Sequence, residues 1–163
     1  MSDSPDAKRP LVIRLMMIDD EGKPKIGIGF DKLGVRPRNP NEPTKAHDVA
    51  AVGPDDWVGL SWIDRWLARI GSWFMLTRPP VYEGLSCSKA TRDEYLRRRG
   101  RPLEKKQRIW ELDNRHLPNG LGIVPDPLPN DPDHLLLVPT CSMTLKAFQE
   151  LLHSTQPMWR MVE

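Results

Sequence analysis

The chain has 163 residues, 24 Lys and Arg against 22 Asp and Glu, and a formal net charge of +2. That length suits one domain that buries roughly two-thirds of its surface without a metal or disulfide staple, and so small a charge excludes steering of the whole molecule toward nucleic acid or an acidic surface. The two cysteines, Cys87 and Cys141, lie in no C-x-x-C pair and are expected to be buried free thiols.

Residues 1–10 read as a solvated tail without the apolar run of a secretory signal. No stretch reaches the roughly 18 apolar residues needed to cross a membrane. Leu11 to Ile18 (LVIRLMMI) alternates as a buried strand, with Leu11, Ile13, Leu15 and Met17 on one face and Val12, Arg14 and Met16 on the other. Asp19 to Pro24 is turn chemistry, and Ile26 to Phe30 can form a second short strand. Prolines at 37, 40, 43 and 54 exclude long regular elements from the following segment.

Ser61 to Phe74 is the clearest predicted helix, with Trp62, Trp66, Leu67, Ile70 and Trp73 among the apolar residues on one face. Residues 88–100 predict a charged helix, and Arg108 to Leu112 a strand. Five prolines between Leu117 and Pro132 predict extended loop. Leu135 to Val138 reads as a short buried strand. Thr144 to Leu152 reads as a helix capped by Thr144, with Leu145, Phe148, Leu151 and Leu152 inward. Strands scattered among short helices and proline-rich connections predict an α+β fold.

Motifs that carry chemistry on their own are missing. Gly27 and Gly29 lack the lysine and hydroxyl of a phosphate loop, and His47, His116, His134 and His153 are too dispersed for metal-ligand spacing, so no metal is expected. No G-x-S-x-G elbow occurs either.

The ordered blocks of the second half say more. LPNGLGIVPD (Leu117 to Asp126) followed by DHLLLVPTCSMTLKAFQELL (Asp133 to Leu152) resembles the end of the Tse-two family of type VI secretion toxins. Upstream, GLSWID (Gly59 to Asp64) looks like that family's serine element, and a second GLS at Gly84 to Ser86 competes for the role. KLGVRPR (Lys32 to Arg38), IWELD (Ile109 to Asp113) and TQPMWR (Thr155 to Arg160) resemble segments of related bacterial proteins.

The resemblance implies a single ADP-ribosyltransferase-like domain over residues 11–163, with a small mixed or antiparallel split sheet and short helices. Residues 85–107 would be a charged insertion. It also implies NAD as substrate, a cytoplasmic site of action in producer and target cell, export without a cleavable signal, and a cognate immunity or antitoxin protein as partner.

ADP-ribose transfer breaks the nicotinamide–ribose bond through an oxocarbenium-like state, which requires an oriented dinucleotide and stabilisation of the developing charge. Arg14 is the candidate first-strand cation, because an arginine in an apolar strand is costly unless its fork is paired. An edge position facing water is its other reading. Ser61 would orient the cofactor or simply cap a helix. His134 would bond ribose or the nicotinamide amide, or else a nearby loop. Glu111 is a candidate acid, with Glu83 beside it as the other carboxylate to consider. Arg36, Gly59, Leu60 and Trp110 are candidate dinucleotide contacts, with surface, turn and core roles respectively as the alternatives for Arg36, Gly59 and Trp110.

Two rival readings come from the residues themselves. Arg97, Arg98, Arg99, Arg101, Lys105, Lys106 and Arg108 form a basic run suited to a nucleic acid or an acidic protein. Trp57, Trp62, Trp66 and Trp73 would suit a membrane interface, against which a buried core helix is preferred.

Overall fold

The computed structural model describes residues 11–42, 44–59 and 83–162. The expected Trp-rich helix, with Leu60 and Ser61, lies outside the described residues.

Strand β1 (Leu11–Met17) follows the predicted alternation. It pairs antiparallel with β4 (Gln107–Asp113) in unbroken register from Leu11–Asp113 to Met17–Gln107. Its core-facing set is Val12, Arg14 and Met16, so the arginine sits on the same face as two residues of the main apolar cluster.

With β3 (Leu85–Ser88), β5 (Leu121–Pro125), β6 (His134–Pro139) and β8 (Arg160–Val162), these strands form one sheet of order β5-β6-β3-β1-β4-β8. Every pairing between neighbours is antiparallel. A two-stranded sheet of β2 (Trp57–Val58) and β7 (Met143–Thr144) leads into the C-terminal helix.

Helix α1 (Arg92–Arg99) follows β3 directly, with Thr91 as its N-cap and Gly100 as its left-handed C-cap. Its charged sequence has no buried residue, so the helix is held by its ends and ion pairs rather than by an apolar face. Helix α2 (Leu145–Ser154) is the opposite case. Thr144 Oγ1 accepts from the Ala147 amide at 3.2 Å, and Leu145, Phe148 and Leu152 are buried. Leu151, expected inward with them, is only half-buried and packs at the cluster's margin. Burying Phe148 fully in the main apolar cluster contributes roughly 1.5–3 kcal/mol. The described part of the chain is thus α+β, an antiparallel sheet with two helices.

Three local expectations change. Ile26 to Phe30 makes a single bridge, Ile26 to Leu33, instead of a strand. Gly27 and Gly29 adopt φ of 143° and 144°, which breaks the pleat, and Ile26, Ile28 and Phe30 stay exposed. The proline-rich run after Leu117 contains a real strand, β5. It lies at the sheet edge and ends on Pro125, a position where a missing amide is tolerated. Residues 85–107, read as an insertion, open with β3, which lies between β6 and β1 in the sheet.

The segment after Lys32 is irregular but anchored. Leu33, Val35, Val49 and Ala51 are buried in the main cluster, and Pro37 bridges Val49.

Candidate functional site

The β3 strand enters the sheet tightly. A Cβ at Gly84 would lie 2.2 Å from the Leu137 carbonyl oxygen, so only glycine lets β3 run this close to β6. Beyond it, Leu85 to Ser88 pair with Leu137 to His134. Side chains alternate across a sheet and directly opposed residues share a face. Leu85 and Cys87 therefore face the main cluster, while Ser86, Ser88 and His134 share the other face.

On that face Ser86 and His134 meet. Ser86 Oγ lies 2.6 Å from His134 Nε2. The other ring nitrogen, Nδ1, is 2.9 Å from the Asp126 carbonyl oxygen and 3.1 Å from Asp126 Oδ2. Both Asp126 oxygens are acceptors, so Nδ1 carries the proton and Nε2 is left to accept from the serine hydroxyl. A hydroxyl, an imidazole and a carboxylate thus stand in a line, the spatial order of a nucleophile, its base and the group that orients the base. Asp126 follows β5, His134 opens β6 and Ser86 lies in β3, so three strand segments supply the three groups.

The loop before His134 is held from a distance. Arg98 of α1 bonds Asp131 and Asp133 at 2.8 Å each and also pairs with Glu94. The His134 amide donates to the Asp131 carbonyl at 3.0 Å. The basic helix therefore fixes the approach to the imidazole.

Arg14 reaches β3 from the core side. Its guanidinium donates to the Ser86 carbonyl, to the Lys32 carbonyl at 3.1 Å and to the Gly29 carbonyl at 3.3 Å. Only 6 % of the residue is exposed, which rules out the water-facing reading. Burial lowers its pKa from the ordinary arginine value, opposed by Cys87, Asp48 and Tyr95. Nε is buried and has no hydrogen-bond partner among the described residues. β1 and β3 pair only at Ile13–Ser88, and the guanidinium joins the two strands beyond that point through the Ser86 carbonyl. Cys87, next in the chain, is buried, and its thiol is pushed up to about 12 by that burial.

The remaining predicted residues are placed as follows. Glu111 stands in the transverse row Glu111–Ile13–Ser88–His134. It shares the face of His134 but lies three strand spacings away, about 14 Å, with Arg160 as its β8 neighbour. Trp110 is 3 % exposed in the main cluster and donates its indole N–H to the Met16 carbonyl at 3.2 Å, so its ring serves the core. Arg36 is engaged with Asp48 through Nε at 3.0 Å and Nη2 at 2.8 Å, and stacks 3.4 Å over the Phe30 ring. Gly59 packs on the end of β6, where a Cβ would come within 2.9 Å of Pro139. Glu83 accepts the Ala50 amide at 2.7 Å. The side chains of Ser86 and His134 are therefore brought together on one face, while Arg14 reaches only the Ser86 carbonyl from the opposite, core face, where Trp110 is its β4 neighbour; Glu111 and Arg36 stand elsewhere.

The basic run divides similarly. Arg98 is engaged in ion pairs, and Arg99 bonds Gln107 at 2.9 Å and the Pro102 carbonyl at 3.1 Å. Arg97, Arg101, Lys105 and Lys106 are exposed. Cys141 is exposed, contrary to the expected burial, because it lies just beyond β6 in the connection to β7. A cleft of about 300 Å³ between α2 and the irregular segment is lined by Ile28, Pro37, Val52, Leu145 and Gln149 among others, and includes none of the site residues above. Among the described residues, no cluster of His, Cys, Asp and Glu is arranged to hold a metal, and no helix is long and apolar enough to cross a membrane.

Asp126 and Ser86 carry more of this site than sequence reasoning gave them. Ser86 was visible only as the second Gly-Leu-Ser, and Asp126 only as the aspartate closing a resembling segment. No protein-family model matches the chain, and no match was found among the curated proteins or the solved structures.

Proposed function

We propose that the chain is a toxin domain of the ADP-ribosyltransferase-like kind, which cleaves NAD at the nicotinamide–ribose bond on the Ser86 face of the sheet. The single observation that supports this most is the position of Ser86: its carbonyl accepts from Arg14 and its hydroxyl bonds His134. A first-strand cation, a Gly-Leu-Ser hydroxyl and the histidine that opens an apolar strand are the three groups the resemblance asks for, and they are joined through one residue. In this reading Ser86 takes the motif-serine role. Arg14 holds the strand that carries the serine, because its guanidinium is already bonded to three carbonyls. His134 faces the reacting ribose. The domain would act on an intracellular target and be neutralised by a cognate immunity protein, for which the exposed Arg97, Arg101, Lys105 and Lys106 offer an acidic partner a landing surface.

The test is incubation of the full chain with NAD, reading free nicotinamide, alone and with cell lysate plus labelled NAD. Nicotinamide release that falls at least tenfold in His134→Ala is the expected result. A folded wild-type chain that releases none and labels nothing would remove the reading.

A further inference from the structure

The geometry points to Ser86 as a covalent nucleophile, activated by His134 and taking the ADP-ribosyl group onto its own Oγ before passing it on. The inference rests on the dinucleotide reading above and supplies what that reading lacks, a base at the reacting centre. Glu111, the carboxylate expected to serve the ribose, lies about three strand spacings from His134. Asp126 and His134 stand beside the hydroxyl instead.

A serine used only for orientation needs a donor or acceptor in the right place. It does not need an imidazole at 2.6 Å whose second nitrogen is bonded to the Asp126 carbonyl at 2.9 Å with the Asp126 carboxylate 3.1 Å away. That line of three groups is what a weak nucleophile requires to lose its proton as it attacks. The carboxylate has a second use here. As the imidazole takes the serine proton and becomes imidazolium, Asp126 stabilises the charge on the ring. Ser86 is partly exposed, while Ser88, two residues on and on the same face, is 1 % exposed and bonds the Ala90 amide. Of the two β3 hydroxyls, only Ser86 is both open and base-paired.

The step balances as follows. Ser86 Oγ forms a bond to ribose C1′ while the bond from C1′ to the pyridinium nitrogen breaks, its electron pair leaving with neutral nicotinamide. The hydroxyl proton passes to His134 Nε2. In the second step water adds to C1′ and Oγ departs, taking the proton back from His134, and one proton is released to solvent. Two displacements at C1′ give net retention of configuration. Asp126 touches no substrate and is a positioning residue.

The experiment mixes the full chain rapidly with NAD, quenches in acid, and reads nicotinamide together with intact and peptide mass. The expected result is a burst of about one nicotinamide per chain and an ADP-ribosyl adduct mapped to Ser86. Ser86→Cys, with its less easily displaced sulfur, should accumulate the adduct to near stoichiometry. Asp126→Asn should slow the burst at least tenfold with KM for NAD unchanged, and Asp126→Glu should recover part of it. Ser86→Ala that folds by circular dichroism yet releases nicotinamide at the wild-type rate overturns the nucleophile and leaves the dinucleotide reading standing. Release from wild type with neither burst nor adduct, in it or in Ser86→Cys, has the same consequence. If wild type releases no nicotinamide at all, the dinucleotide reading itself fails and this inference falls with it.

Discussion

Between β1 and β4 seven residue pairs run in continuous register, whereas β1 and β3 pair only at Ile13–Ser88 and are joined beyond that by a guanidinium. The first seam is bordered by Val12, Met16, Ile109, Trp110 and Leu112, all buried. The second carries Arg14, Ser86 and Ser88 beside the buried Ile13 and Cys87. One seam derives its stability from apolar area and ladder bonds. The other gives up ladder bonds to hold polar groups in set positions, the usual pattern where a fold trades local consistency for a site.

The comparison breaks first at Arg14. Truncation to alanine leaves carbonyls of Gly29, Lys32 and Ser86 without their donor. Each unsatisfied buried group costs about 1–3 kcal/mol, so Arg14→Ala should lose roughly 4 kcal/mol in denaturant unfolding. A loss under about 1 kcal/mol would mean that the polar seam is not held by the arginine.

Next come paired substitutions that separate the two seams. Leu112→Ala, at a site with 0 % exposure, should lose about 3 kcal/mol of stability. Its nicotinamide release per folded molecule should stay unchanged. Ser86→Ala should lose less than about 1 kcal/mol and abolish release. Equal effects of the two on stability, or on release per folded molecule, would show that the division between scaffold seam and reactive seam is false.

The scaffold seam was legible in the sequence and the reactive seam was not, for physical reasons. β1, β4, β6 and α2 follow from alternation, helical spacing and the Thr144 cap, all of which act within a few residues. The register of β1 on β4 spans about a hundred residues of chain, yet needs only two apolar strands with matched faces. Arg14 was recognisable as costly, but its partners are main-chain carbonyls, which leave no mark in sequence. Ser86 and His134 are 48 residues apart, and β5, which leads to Asp126, was hidden by the prolines that bound it. Glu111 and Trp110 looked suitable by residue type, and their register in β4 decides against both roles. β5 and the position of Ser86 depend on pairing with β6, which no local pattern announces.

A smaller effect sharpens the chemical contrast along β3. Cys87 is buried, with its thiol pushed up to about 12, while Cys141 is exposed. The thiolate is the species that reacts. In the native chain, maleimide should therefore modify Cys141 quickly and Cys87 only after unfolding, giving one fast label and a second on adding denaturant. Two fast labels would show that β3 opens readily and that Ser86 is not held as described.

The smallest effect tests the apolar side of the molecule, away from the reactive face. His153 lies on α2 at the cleft beside the irregular segment. Burial lowers its pKa below the ordinary histidine value, more than the Leu33 backbone and Glu150 raise it. A base that binds its proton less readily folded than unfolded contributes stability that is present above its unfolded pKa. That stability is lost as pH falls from the unfolded value, about 6.5, toward the lowered folded one, because the unfolded chain then binds more protons. His153→Gln should flatten that part of the stability profile between about pH 7 and 5. If His153→Gln leaves the slope unchanged, the acid sensitivity arises elsewhere, and the cleft beside α2 is more open to water than its apolar lining implies.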